Sequence, residues 1–223
     1  MQCMARKRSM KKRKLEPAVQ TITFVVPDGD HTVDLSQCAS LVNRRFYRQG
    51  INWVVAGFRF FKPGATPTPG TGVTISRLPN TWVMGNAWEK SFRHWQDLNK
   101  RAIEAGESLP GRFTDFKVYM DSIHHTAGKG ANLLPVDSTA VSATAGEWQY
   151  SKIVVPAGTS SLDFEMMAVG ASFPGPSAAT GFDAVSLIEG YANSRALPSV
   201  VDPNVPADAN LVTGGTPQNW LGS

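Results

Sequence analysis

The chain holds 223 residues, 42% hydrophobic and only 18% charged, with 20 glycines and 15 prolines. That supplies a sizeable core and many turns, and no run of 18 apolar residues offers a membrane-spanning helix. The net charge of +4 is unevenly placed: Arg6, Lys7, Arg8, Lys11, Lys12, Arg13 and Lys14 form a block without an acid, while residues 15–223 hold 15 basic against 18 acidic residues, a net −3.

Residues 1–19 show no apolar periodicity, and their like charges repel one another, so the segment reads as a disordered basic arm. It lacks the apolar stretch of a secretory signal and is denser in Lys and Arg than a transit peptide. Fully extended it would reach on the order of 60 Å. The folded domain is expected over residues 20–223. Thr21–Val26 is β-rich and ends at the turn Pro27-Asp28-Gly29-Asp30; His31–Leu35 reads as a returning strand. Ser36 is placed to cap a short helix over 37–47, with Cys38, Leu41, Val42 and Phe46 on one face. Residues 52–61 are the most β-like stretch, 62–72 a Pro/Gly/Thr loop, and 73–78 another strand.

Trp88, Phe92, Trp95 and Ala102 then recur at helical spacing, which predicts one amphipathic helix over 86–105 with Gly106 as its C-cap. Strands are predicted at 113–121, 147–155, 161–169 and 182–191. The alternation is clearest where Phe113, Asp115, Lys117 and Tyr119 oppose Thr114, Phe116, Val118 and Met120. Eight strand candidates with one inserted helix point to an all-β, mainly antiparallel sandwich. Thr216-Pro217 opens a helical turn just before the chain stops, which reads as a fragment lacking its last strands.

The arm carries the strongest functional signal. Seven contacts to single-stranded nucleic acid would give a log–log salt slope of about −5. A Lys/Arg run of this kind also reads as a nuclear import signal, and the bland alternative is a solubilising tail. The remaining motifs are weak. Cys3 and Cys38 make no disulfide framework and read as reduced thiols of a cytosolic or nuclear protein. His124-His125 is an isolated pair, expected to turn one ring in and one out, with no zinc spacing and no His-hydrophobe-His of a replication nuclease. Residues 127–132 lack the spacing of a phosphate loop, Asp28-Gly29-Asp30 is a turn rather than a calcium loop, and no GxSxG is present. No enzymatic step, metal or cofactor is therefore expected. Trp53, Phe58, Phe60, Phe61, Trp82, Trp88, Trp95 and Trp148 are read as core and subunit anchors rather than base-stacking platforms. The 86–105 helix carries Lys90, Arg93, Lys100 and Arg101, but acids at 89, 97 and 104 make it an ordinary solvated face rather than a DNA-reading one.

Several phrases carry a resemblance: Met4-Ala5-Arg6-Lys7-Arg8, Gly85-Asn86-Ala87-Trp88-Glu89-Lys90, Phe113-Thr114-Asp115-Phe116-Lys117-Val118-Tyr119 and Ile188-Glu189-Gly190-Tyr191-Ala192-Asn193-Ser194-Arg195. With them the chain resembles the capsid proteins of small circular single-stranded DNA viruses, in particular unclassified environmental (CRESS-DNA-like) members. Met4-Ala5-Arg6 opens the arm as such proteins often begin. The resemblance implies a jelly roll, self-assembly of many copies into an icosahedral shell, and a lumenal arm that packages the single-stranded DNA genome without sequence preference. It implies a virion protein that visits the host nucleus, with a nuclear import receptor as a further partner and no membrane partner. The alternative is a cellular nucleic-acid-binding module with a basic tail on a β domain, which the net acidic body argues against.

Overall fold

A computed structural model describes residues 20–51, 53–62, 72–157, 160–172 and 184–195. Among them are four α-helices, α1 (Leu35–Asn43), α2 (Trp82–Ala105), α3 (Ser122–Ala127) and α4 (Leu187–Arg195), and one sheet of β1 (Lys152–Ala157), β2 (Ser160–Met167) and β3 (Ala184–Ser186). The all-β jelly roll expected from the sequence is therefore wrong. Residues 21–26, 53–61 and 73–78 have the composition of strands but form no strand ladder. Strand propensity expresses itself only when another edge supplies a run of hydrogen bonds, and residues 21–26 receive one such bond, from Val136 N–H to Thr23 O at 2.9 Å, without a ladder. The predicted return strand at His31–Leu35 contributes a single bridge, Thr32 to Asn132, before α1 begins. Residues 63–71 of the loop expected over 62–72, and the helical turn after Thr216, lie outside the described residues.

The helices form where local sequence demands them. Asp34, rather than Ser36, caps α1: its Oδ1 accepts from the backbone N–H of Ser36 (2.9 Å) and Gln37 (3.2 Å). The buried stretch of α1 is Ser36, Gln37, Cys38 and Ala39, whereas Val42 and Phe46, assigned to its inner face from spacing, stay exposed. Thr81 Oγ1 caps α2 by accepting from Met84 N–H at 3.2 Å, and Gly106 closes it as the sequence predicts. At 24 residues α2 is about 36 Å long. It buries Met84, Ala87, Ser91 and Phe92. Its outer face carries the i,i+4 pairs Arg93–Glu89 (2.8 Å), Arg101–Asp97 (2.7 Å) and Lys100–Glu104 (3.9 Å), the solvated face expected of it.

The sheet separates two packing layers. β1 pairs antiparallel with β2, and β2 pairs parallel with β3 through Glu165↔Ala184 to Met167↔Ser186. Side chains alternate across β2. Phe164 and Met166 join Met84, Ala87, Phe92, Phe116 and Val118 in the core beneath α2, while Met167 joins Tyr119, Trp148 and Tyr150 in a second cluster. The predicted strand over 113–121 is not a regular one. Its segment 117–120 nevertheless threads beside the sheet, with Tyr119 N–H donating to Met166 O (2.8 Å), Ala168 N–H to Tyr119 O (2.8 Å) and Ser151 N–H to Lys117 O (2.9 Å). The alternation read from the sequence survives there, with Phe116 and Val118 in the first core and Tyr119 in the second. The predicted strand 182–191 keeps only β3 before the chain turns into α4. That helix packs on α2, where Asn86 Nδ2 donates to Tyr191 OH at 3.1 Å.

Candidate functional site

The second cluster surrounds a buried polar network. α3 presents both histidines inward, against the expectation of one in and one out. A six-residue helix opened by Asp121, whose Oδ1 accepts from His124 N–H at 2.9 Å, turns successive residues by about 100° rather than to opposite faces. His124 is 4% exposed. Its Nδ1 accepts from Met120 N–H at 3.0 Å, which places the ring proton on Nε2, and Nε2 donates to Asn132 Oδ1 at 2.7 Å. Asn132 Nδ2 donates to Tyr150 OH (2.9 Å) and to Gln37 Oε1 (3.0 Å), so one amide joins α1, α3 and the chain leading into β1. Burial holds the His124 ring below the usual histidine value and pushes the Tyr150 phenol up to about 12.

Beside it, His125 Nε2 lies 2.8 Å from Glu165 Oε2. Burial alone would raise the Glu165 carboxyl; the His125 hydrogen bond and charge, with Lys152 and the Tyr119 hydroxyl, outweigh it and hold the group below the usual carboxylate range. Tyr119 stacks on Tyr150 with ring centroids 3.8 Å apart. A general base must reach the proton it removes. Both nitrogens of His124 are taken by protein groups, so its ring ties α3 to Met120 and Asn132. Among the described residues no group of three or more His, Cys, Asp or Glu could hold a metal ion. Cys38 is fully buried, and burial, with Asp34 nearby, pushes its thiol up to about 12, which makes it an inert packing residue. Among the described residues no helix is long and apolar enough to cross a membrane. The 127–132 segment contains a single 3-10 turn, Lys129–Ala131, and not a phosphate-binding helix start.

Above the network lies a cleft of about 400 Å³ that shares Gln37 with it. Its wall is the chain leaving α1. Arg44 adopts the left-handed conformation (φ 49°) at the C-cap, and Arg45 N–H donates to Ser40 O at 3.1 Å. A non-glycine residue there carries strain of about 1–2 kcal/mol, which glycine would avoid. Phe113 also lines the cleft, its ring 5.6 Å from Phe46. The floor is Lys117, only 1% exposed, its Nζ paired with Asp115 and lying 4.2 Å from the Trp148 ring centroid. Arg44 and Arg45 have no ion pair among the described residues.

The predicted nucleic-acid-binding residues Arg6, Lys7, Arg8, Lys11, Lys12, Arg13 and Lys14 lie outside the described residues, as does Cys3. Sequence reasoning passed over Arg44, Arg45 and Phe113. The signal for the first two was present in Arg44-Arg45-Phe46-Tyr47-Arg48, three cations interleaved with two aromatics just past a helix end. Of the aromatics read as anchors, Trp88 and Trp95 do pack on Phe116, whereas Phe58, Phe60 and Phe61 stand exposed. No family model, curated protein or solved structure matches the chain.

Proposed function

We propose that this chain is a self-assembling viral coat protein that packages single-stranded DNA through residues Arg6–Lys14. The observation that carries the reading is the segregation of charge: seven uncompensated cations in one segment, joined to a body of net −3. A coat must accept a whole genome, so it needs phosphate neutralisation without base readout, and a block of cations without acids supplies that. The role is structural, with no enzymatic step. The same arm serves as the address read by a host nuclear import receptor, which places assembly in the nucleus and the product in the virion.

The uncovered apolar chain supports self-association. Val54 is 94% exposed and Phe61 86%, with Val55, Phe58 and Phe60 between them also exposed. Contiguous apolar surface of this kind is a docking face, and in a coat the neighbouring copy covers it. Electron microscopy of the purified chain is expected to show uniform closed particles that protect DNA from nuclease. Replacing all seven arm cations by serine is expected to leave particles but remove most of the protected DNA. Particles from that variant that package normally would sink the arm's role. A protein that stays monomeric at high concentration and low salt would favour the cellular nucleic-acid-binding module instead.

A further inference from the structure

The cleft over Lys117 brings aromatic and cationic side chains together. Its about 400 Å³ falls in the range of pockets that take small ligands. Phe113 and Phe46 both line it with their rings 5.6 Å apart, and aromatic surface of this kind stacks bases of any sequence. Arg44 and Arg45 also line the cleft and have no ion-pair partners among the described residues, Arg45 lying 5.9 Å from the Tyr47 ring centroid, and guanidinium groups fit phosphate oxygens in pairs. The acids of the cleft are Asp115 and Glu147. Asp115 is taken by Lys117, so the local balance is one positive charge on a body that is otherwise acidic. The left-handed backbone at Arg44 is the second observation. Glycine suits that position, yet a strained arginine occupies it at the cleft wall, and strain of this kind is concentrated where function demands the residue.

We propose that this cleft binds one nucleotide of a single strand, with the base against Phe113 and Phe46 and the phosphate on Arg44 and Arg45. The inference rests on the packaging reading and deepens it: the arm gathers the strand, and the body holds it at one defined point.

The test uses the full chain and a short oligodeoxythymidylate carrying 5-iodo-deoxyuridine, cross-linked by ultraviolet light and mapped by mass spectrometry. Adducts are expected on Phe46, Phe113 or Trp148 in addition to those within residues 1–19. The double variant Arg44→Gly, Arg45→Ser is expected to lose about tenfold of the cleft adducts while arm adducts persist. Its thermal midpoint should not fall, because glycine relieves the left-handed backbone; a merely structural arginine pair would not separate binding from stability in this way. Adducts confined to residues 1–19, or cleft adducts indifferent to the double variant, overturn the cleft site and leave the arm standing. A chain that neither binds nor cross-links overturns the nucleic-acid reading as a whole.

Discussion

At the scale of single residues, two groups hold conformations that chain propensity alone would not choose. Arg44 sits where glycine is at ease, so Arg44→Gly alone is expected to stabilise the fold by about 1 kcal/mol in urea denaturation. His124 is held neutral because burial penalises its charged form, and a proton on Nδ1 would also break the bond from Met120 N–H. Its value in the fold is depressed, so the unfolded chain takes up the proton first as pH falls. The contribution of His124 is therefore intact above the ordinary histidine value of 6.5 and is lost progressively below it. Glu165 behaves likewise in a lower window, its contribution present above the ordinary glutamate value of 4.5 and lost as the pH falls beneath it. His94 is also depressed by burial, so the test is a difference. Between pH 7 and 5.5 the urea midpoint of the native chain is expected to fall more than that of His124→Gln. Equal slopes would show that His124 titrates freely. His124→Ala leaves Met120 N–H and Asn132 Oδ1 without partners and is expected to cost about 3 kcal/mol at neutral pH.

At the scale of elements, α2 is the organising piece, and its fit is set by a turn far from it in sequence. Gly50 has φ +81°, and a Cβ there would lie closer than 3.0 Å to three ring carbons of Trp88. Trp88 cannot withdraw, since its ring stacks on Phe92 (centroids 5.1 Å) and meets Phe116 edge-on (5.5 Å). Gly50→Ala is therefore expected to destabilise by about 2–4 kcal/mol, combining backbone strain with overpacking. Removing the exposed Arg93–Glu89 pair by Arg93→Ala should change stability by less than about 0.5 kcal/mol. Urea denaturation of the two variants side by side checks both, and a tolerated Gly50→Ala would mean that the turn and α2 are not in firm contact.

At the scale of the whole molecule, the described fold leaves its most apolar extended chain uncovered. Among the described residues nothing covers Val54, Phe58, Phe60 and Phe61, and in the proposed coat a neighbouring copy lies there. Val54→Glu with Phe61→Glu is expected to shift sedimentation from large assemblies toward monomer while leaving far-UV circular dichroism unchanged, because neither side chain belongs to the core. Unchanged assembly in that variant would remove residues 53–61 from the subunit contact.

The sequence by itself determined the features that need no distant partner. The charge block of residues 6–14 is additive, and the helix ending at Gly106 closes its hydrogen bonds four residues apart, so both are legible in a linear reading. The 161–169 strand was legible for a related reason, since its alternation survives burial on both faces. Only the tertiary structure decided which β-prone stretches become strands. A strand's bonds come from another segment, and of two β-prone stretches, 53–61 ends exposed while 161–169 supplies most of the central strand of the sheet. The site was decided in the same way: Gln37, Asn132 and Tyr150 are separated by up to 113 residues, and Arg44 and Phe113 by 69, and chain folding alone brings them to one network and one cleft.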